Sequence, residues 1–286
     1  PEAPEYFPSG EISLLELKAI IARKMLDNCA ICENRCQVNR NEGNRGKCRV
    51  GSKSYYTNEF LHFGEESELV PSHTVFFTGC TFECIFCQNW DIAHGKAAES
   101  DAGFKADIGL AMKIVEKANY SKNLNLVGGN PDQHIASILD LLIMLASFKY
   151  KRPIVWNSNL YMTPEALSLL SGVADVHLAD FKYGSNECGE EYSGVKNYWD
   201  VITRNLLAVE PVSDILIRHL VLPGHIECCT SKIIKWVAEN LPDARFNFMF
   251  QYRPEYKATN HAVIGRYLTD SEKTRATELA SDAGLI

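Results

Sequence analysis

Three cysteines lie within eight residues of one another in the segment "TGCTFECIFCQNW" (78–90). They are Cys80, Cys84 and Cys87, and aromatic residues are interspersed among them. Three thiols in one loop cannot all pair as disulfides, because one is always left over. Thiolates bind zinc and iron–sulfur clusters alike. The spacing therefore predicts either a four-iron cluster with one iron free to bind a substrate, or a zinc ion that keeps a bound water.

A second set of cysteines precedes the first, with the spacing C-x2-C-x3-C-x11-C: Cys29, Cys32, Cys36 and Cys48. Four convergent thiolates can close a tetrahedral site, and the glycines of this segment permit the tight turns that such a knuckle needs. We expect either a structural zinc ion or an auxiliary iron–sulfur cluster, since both favour four sulfur ligands. The remaining cysteines have no ligand-like spacing, and we interpret them as buried or free thiols: Cys188, Cys228 and Cys229.

The knuckle is also locally basic, with six arginines and lysines between Arg35 and Lys53. Clustered cations of this kind could grip RNA or an acidic protein, because binding to phosphates releases counterions. The alternative is a solvated charged surface around a metal site, and this is the interpretation that we favour.

The elements that must position these residues follow from the hydrophobic pattern. Apolar runs predict strands at 74–79, 123–129, 153–159, 175–181, 215–222 and 246–252. Helical periods fall between them at 107–120, 133–148, 163–172 and 231–241. Several strands are continuously apolar, as expected when helices cover both faces of a parallel sheet. The sequence therefore predicts an α/β fold, a partial (β/α)6 barrel preceded by a cysteine-rich knuckle.

Polar residues follow the ends of the predicted strands. After the first strand come the three cysteines, and the later strands end in Gly128, Gly129 and Asn130, in Asn157 and Asn159, in Asp180 and Lys182, in Arg218 and His219, and in Gln251 and Arg253. The carboxyl ends of barrel strands converge on one mouth, so we expect these groups to face a single site.

Composition excludes several classes of protein. A hydrophobic content of 46% indicates a packed core, and a net charge of −7 gives no reason to expect a nucleic-acid binder. No apolar run reaches about 18 residues and the start lacks a signal-peptide pattern, so we expect a cytoplasmic protein. In that reducing compartment, ten cysteines indicate metal ligands or buried thiols.

We divide the chain into a helical segment (1–28), the knuckle (29–72) and the barrel (73–286).

The cysteine loop carries a resemblance to a known family. C-x3-C-x-aromatic-C, read as Cys80, Cys84, Phe86 and Cys87, is similar to the signature of radical S-adenosylmethionine (SAM) enzymes. The segments "LHFGEE" (61–66), "VWNSN", "LADFKY", "IRHLVLPG" (217–224) and "QYRP" (251–254) resemble the uncharacterised homologues of pyruvate formate-lyase-activating enzyme. This resemblance runs from about Cys29 to the C-terminus, and it implies a partial barrel of the radical SAM type.

The resemblance also implies roles for individual residues. The three cysteines would hold a 4Fe-4S cluster, while Phe86 and Gln88 would lie beside the adenine of SAM. Gly128 and Gly129 match the glycines that receive the methionine amine, with Asn130 where the family has Glu. Asp180 and Lys182 match the family's D-x-K, in which the lysine is suited to pair with the SAM carboxylate. Other contacts to ribose or carboxylate would come from Asn157, Asn159, Arg218 and His219, although His219 could equally be a structural histidine.

The implied reaction is reductive cleavage of SAM, giving a deoxyadenosyl radical that abstracts hydrogen. We expect a protein or peptide substrate and a one-electron donor such as flavodoxin or ferredoxin, with no membrane partner. An RNA-modifying enzyme is the alternative that the basic knuckle suggests. A catalytically silent metal-binding interaction protein is the alternative from another class.

Overall fold

An eight-stranded sheet forms the centre of the structure, a computed structural model that describes residues 11–96 and 103–285. The strands are β1 (Tyr55–His62), β2 (Ser72–Phe77), β3 (Phe104–Lys105), β4 (Asn123–Gly128), β5 (Ile154–Ser158), β6 (Val176–Asp180), β7 (Asp214–Leu220) and β8 (Arg245–Met249). Their order is β3-β1-β2-β4-β5-β6-β7-β8, so the sheet does not close. Strand β2 and strands β4 to β8 are mutually parallel, while β1 and β3 pair antiparallel at one edge.

The six parallel strands are those that the sequence predicted, which confirms the partial (β/α)6 barrel. All residues of β5 are buried, and β2 and β4 each have one partly buried residue among buried ones. This pattern is expected when both faces of a parallel sheet are covered. Strands β1 and β3 were not predicted. Strand β1 lies within the range 29–72 that was assigned to the knuckle and pairs with β2, and the division of the chain into domains stays a prediction.

Nine α-helices lie in the described residues, and several of them alternate with the parallel strands. They are α1 (Leu14–Lys24), α2 (Trp90–Ala93), α3 (Ile108–Lys117), α4 (Ile135–Ser147), α5 (Pro164–Ser168), α6 (Asn186–Ser193), α7 (Tyr198–Val209), α8 (Ser231–Asn240) and α9 (Asp270–Asp282). Helix α5 lies within the predicted helical range 163–172, and Thr163 caps it, since the Thr163 side chain accepts from Ala166 N–H. Helices α6, α7 and α9 were not predicted. A π-helical turn, Ile226–Thr230, follows β7.

The N-terminal segments pack onto the barrel. Helix α1 lies against α4, and Arg23 pairs with Asp140 at 2.6 Å. The knuckle contacts the cysteine loop directly, because Asn34 Nδ2 donates to the Thr81 carbonyl at 2.8 Å. The knuckle is therefore part of the scaffold around the 78–90 loop.

The segment after β1 bridges several strands on one face of the sheet. Glu65 and Glu66 both pair with Arg218 of β7, and the Glu66 pair measures 2.6 Å. Asn125 of β4 donates to Glu65 at 3.1 Å, and Asn247 of β8 donates to Glu66 at 2.7 Å. Each charge in this buried network has partners, which is the condition for a tolerable desolvation cost. The network links three strands that are far apart in the chain.

Replacing Gly128 with Ala tests the contact between β2 and β4. Gly128 has φ +121°, and a Cβ there would lie 2.2 Å from the Phe77 backbone. We expect a loss of about 3 kcal/mol or more, from backbone strain and forced separation of the strands. Gly51→Ala is the control, since a Cβ at Gly51 meets nothing within 4 Å. Anaerobic chemical unfolding measures both variants, and equal stability of Gly128→Ala and wild type would contradict the contact.

Candidate active site

A cavity of about 480 Å³ lies at the carboxyl ends of the parallel strands. This volume is within the range of pockets that hold one small ligand. The predicted site residues that line it are Cys80, Cys84, Phe86, Cys87, Gln88, Gly128, Gly129, Asn130, Asn157, Asn159, Asp180, Lys182 and Arg218. The expectation that the strand ends share one mouth agrees with this placement. The binding roles assigned to the individual residues stay predictions.

The three loop thiols are largely removed from water. Cys80 and Cys84 are 8% and 7% exposed. Burial raises the pKa of Cys87 to about 12 and that of Cys80 well above its ordinary value. Bound iron would reverse this preference for the neutral thiol, because a metal ion deprotonates a coordinating thiol outright. Two buried thiols and one partly buried thiol beside a cavity thus fit a metal centre with a position left for a ligand.

Hydrogen-bond donors are aimed at two of these sulfur atoms. Cys80 Sγ accepts from Phe82 N–H at 3.4 Å and from Asn159 Nδ2 at 3.8 Å. Cys84 Sγ lies 2.9 Å from Ser193 Oγ, which in turn lies 2.6 Å from the Tyr183 hydroxyl. Hydrogen bonds to the sulfur atoms help to set the reduction potential of a bound cluster. They also hold the loop in one conformation.

The separation of the thiols distinguishes one metal ion from a cluster. Two thiolates on a single zinc ion lie about 3.8 Å apart, given Zn–S bonds of about 2.3 Å at tetrahedral angles. Within residues 11–96 and 103–285, neither the set at Cys80–Cys87 nor the set at Cys29–Cys48 has three sulfur atoms that all lie within 4.8 Å of one another. This spacing agrees with a 4Fe-4S cluster at Cys80–Cys87, and the choice between zinc and a cluster at Cys29–Cys48 stays a prediction.

Lys182 supplies a buried positive charge at the cavity. Its ammonium lies 2.5 Å from Asp180 Oδ2. Burial acts to lower the pKa of Lys182, but the charges of Asp180 and Cys84 outweigh burial and the pKa is raised. Lys182 in turn opposes the increase in the pKa of Cys84 that burial causes. The lysine is therefore a permanent cation between the thiols and the cavity.

Asn130 joins the loops around the cavity, which explains the departure from the family's Glu in structural terms. Its Oδ1 accepts from Asn159 N–H at 3.1 Å, and its Nδ2 donates to Gln133 Oε1 at 3.2 Å. A carboxylate could accept the first bond but could not donate the second. Gln133, which the sequence analysis missed, also donates to the Gly79 carbonyl at 2.9 Å.

Two of the predicted contact residues have partners within the protein. Arg218 lines the cavity, and Glu65 and Glu66 hold its guanidinium, so its contact with SAM stays a prediction. His219 does not line the cavity. Its Nδ1 lies 2.7 Å from the Phe181 carbonyl and its Nε2 lies 2.9 Å from Thr230 Oγ1. Burial lowers the pKa of His219 to about 4, so the ring is a neutral structural group.

Glu65 and Glu66 are cavity residues that the site prediction omitted. They lie in the "LHFGEE" segment, which entered the sequence analysis only as part of the resemblance. Their burial and their pairing with Arg218 depend on contacts across more than 150 residues. The sequence signal that could have found them is the pair of adjacent carboxylates next to an apolar run.

The knuckle encloses a buried arginine beside its thiols. Arg40 is 1% exposed and donates to the carbonyls of Gly51 and Gln133 at 2.6 and 2.8 Å. Its Nη1 lies 3.8 Å from Cys29 Sγ, and its charge opposes the rise that burial causes in the pKa of Cys48. The backbone of Lys47 donates to Cys36 Sγ at 3.4 Å. The donor set thus fits an anionic metal–thiolate group.

Comparison with known proteins identifies the family. The Radical SAM superfamily matches residues 74–237, which is more than half of the chain. This chain belongs to the radical SAM superfamily. An uncharacterized protein of Methanocaldococcus jannaschii is 50% identical to it over 276 residues, which cover 96% of this chain and 80% of that protein.

One solved structure agrees with this chain at the level of the fold. Streptococcus suis SuiB bound to S-adenosylmethionine superposes with a TM-score of 0.52 at 17% identity, over 71% of this chain and 44% of that one. This chain thus corresponds to less than half of SuiB. A domain of pyruvate-formate lyase-activating enzyme from Bacteroides vulgatus gives a TM-score of 0.45 at 16% identity, over 58% of this chain and 96% of that domain.

Membership of the superfamily establishes the cofactors. The chain is a radical SAM enzyme that uses a 4Fe-4S cluster and SAM. Cys80, Cys84 and Cys87 lie inside the matched region and fit the cluster by burial and separation. Among the described residues, no helix is both long and apolar enough to cross a membrane.

Replacing Lys182 with Met tests its part in binding SAM. The variant keeps most of the side-chain volume but removes the charge partner expected for the SAM carboxylate. Losing a charge-assisted bond costs about 1.5–3 kcal/mol, so we expect roughly ten- to a hundredfold weaker SAM binding. Equilibrium dialysis of cluster-loaded protein measures this affinity, with Lys235→Met on the exposed face of α8 as the control. Unchanged affinity in Lys182→Met at full iron content would contradict the assignment.

Proposed function

We propose that this enzyme abstracts a hydrogen atom from a protein or peptide, in the manner of an activating enzyme. The observation that carries the proposal is the size of the cavity, about 480 Å³. That is the volume of a pocket for one drug-sized ligand, and SAM is itself of that size. The bulk of the substrate then has to remain outside, with one residue reaching inward. A flexible polypeptide segment meets this requirement.

The chain's own residues would prepare the site for this chemistry. The cluster and SAM together supply the one-electron reduction that releases methionine and a 5'-deoxyadenosyl radical. Cys80, Cys84 and Cys87 would hold the cluster, and Lys182 would fix the SAM carboxylate. The backbone at Gly128 and Gly129 would receive the methionine amine, while Phe86 would lie against the adenine. Enclosure of these groups excludes water from a reactive species.

A stacked pair of aromatic side chains beside the cavity favours a polypeptide as the substrate. Trp90 is 41% exposed and stacks on Tyr256, with ring centroids 5.4 Å apart and planes 5° apart. Gln88 and Asn89, which come directly before Trp90 in the chain, line the cavity. The aromatic pair is therefore next to the cavity. Exposed aromatic residues are enriched where proteins bind one another.

The two alternatives receive less support. Three of the six cations that could bind RNA are buried or have partners within the protein: Arg40 is buried, Arg35 pairs with Glu33 at 2.7 Å, and Arg49 donates to the His94 carbonyl at 2.9 Å. A catalytically silent protein would have no use for the Lys182–Asp180 ion pair and three closely spaced cysteines beside an open cavity.

We also propose an auxiliary iron–sulfur cluster, rather than zinc, at the four knuckle cysteines. The buried Arg40, whose Nη1 lies 3.8 Å from Cys29 Sγ, supports it by supplying a positive charge beside the thiols. Wild type should then contain about eight irons, and Cys36→Ser should contain about four. Iron analysis with Mössbauer spectroscopy measures the change. A variant that kept all of its iron would refute the auxiliary cluster.

The catalytic cluster is tested by Cys84→Ala. The cluster loses one of three protein ligands, so we expect reductive formation of 5'-deoxyadenosine from SAM to fall below about a thousandth of the wild-type rate. Cys229→Ser, which changes a buried thiol outside the loop, is the matched control and should form 5'-deoxyadenosine at the wild-type rate. Deoxyadenosine is quantified by liquid chromatography after reduction with dithionite. Wild-type yields from Cys84→Ala would overturn the assignment.

The substrate class is tested by following the abstracted hydrogen. Extract from cells grown in D2O is separated into protein and RNA fractions, and each is incubated with the enzyme, SAM and dithionite. We expect singly deuterated 5'-deoxyadenosine to form with the protein fraction. Protease digestion of that fraction should abolish the deuterated product, and Trp90→Ala should lower its yield. Deuterium transfer from the RNA fraction alone, abolished by nuclease, would replace the proposal with RNA modification.

A further inference from the structure

A third group of metal-ligating side chains lies outside both cysteine sets. The ligand atoms of Cys188, His225 and Cys228 all lie within 4.8 Å of one another, and no other such group of three occurs in the described parts of the chain. The sequence interpretation of these cysteines as buried or free thiols agrees with their unpaired state, but their spacing in the sequence gave no sign that Cys188 and Cys228 lie together. Helix α6 brings Cys188 to the π-helical turn, which carries Cys228 and follows His225.

His225 has the tautomer that metal binding requires. The ring is 5% exposed, and its Nδ1 lies 2.7 Å from the Pro223 carbonyl. A carbonyl oxygen only accepts, so Nδ1 carries the proton and the neutral ring has its lone pair on Nε2. A ligating histidine usually has its second nitrogen fixed by such a bond, which orients the ring. The edge of the Tyr192 ring lies against it, with centroids 4.8 Å apart.

We propose that Cys188, His225 and Cys228 bind a single zinc ion. Two thiolates and an imidazole are donors that zinc prefers. Zinc requires its ligand atoms about 3.4–3.8 Å apart, so side-chain shifts of less than about 1 Å would complete the site. Cys228 is exposed, which leaves the fourth position open to water. The close spacing separates this site from the two wide cysteine sets.

The ion would fix the helix that holds the cluster loop. The last residues of α6 accept from that loop, since Ile85 N–H donates to the Tyr192 carbonyl at 3.0 Å and Glu83 N–H donates to the Ser193 carbonyl at 2.9 Å. The π-helical turn packs closely against Gly184, where a Cβ would lie 2.5 Å from the Cys228 carbonyl. Zinc between α6 and this turn would therefore hold Ser193 against Cys84.

Metal content and thiol protection test the proposal. Anaerobic wild type dialysed against zinc at pH 7.5 and then against buffer should retain about one zinc per chain. Cys188→Ser and Cys228→Ser should retain almost none, whereas Cys36→Ser in the knuckle and Cys229→Ser should retain the wild-type amount. Zinc lost from Cys36→Ser but kept by Cys228→Ser would move the ion to the knuckle and overturn the proposal.

Alkylation of wild type keeps the test independent of whether the variants fold. With zinc bound, exposed Cys228 should resist iodoacetamide, and removal of zinc by EDTA should raise its labelling rate at least about tenfold, because a bound thiolate is a weak nucleophile. Peptide mass spectrometry follows Cys228 separately from the other cysteines. Equal labelling before and after EDTA, or a disulfide between Cys188 and Cys228 in both samples, would overturn the proposal.

Discussion

Desolvation of the Cys80, Cys84 and Cys87 thiols is the constraint on which the rest of the structure depends. A buried thiol resists ionisation, yet a cluster ligand has to be a thiolate. The protein opposes this cost with Lys182 and with hydrogen bonds to the sulfurs from Asn159 and Ser193. The remaining compensation comes from iron. The site therefore reaches its low-energy state only when the cluster is bound.

The scaffold keeps these compensating groups in place from several separate elements. Amide side chains join the loops after β2, β4 and β5, with Asn130 and Gln133 at their centre. Strands β2 and β4 approach so closely at Gly128 that no Cβ fits. On the same side, Glu65 and Glu66 neutralise Arg218 and link β4, β7 and β8. Polar residues inside the barrel thus organise the cavity, while apolar residues elsewhere stabilise the fold.

The three sets of cysteines differ in the spacing of their ligand atoms. Among the described residues, only the set on α6 and the π-helical turn has three ligand atoms within 4.8 Å of one another. Knuckle and turn each contact the cluster loop, through Asn34 and through the end of α6. Metal binding at either position would consequently restrict the loop that presents Cys80, Cys84 and Cys87. Oxidative damage at one site would then affect the others.

Local pattern in the sequence determined the six parallel strands, the cap at Thr163 and the cysteine loop, because continuous apolar runs and short spacings are properties of neighbouring residues. It also determined that the strand ends meet, since parallel strands share one direction. Only the tertiary structure decided that Arg218 pairs with Glu65 and Glu66, that His219 faces away from the cavity, and that Cys188 meets Cys228. These outcomes depend on contacts between residues far apart in the chain, and no periodicity or spacing encodes them.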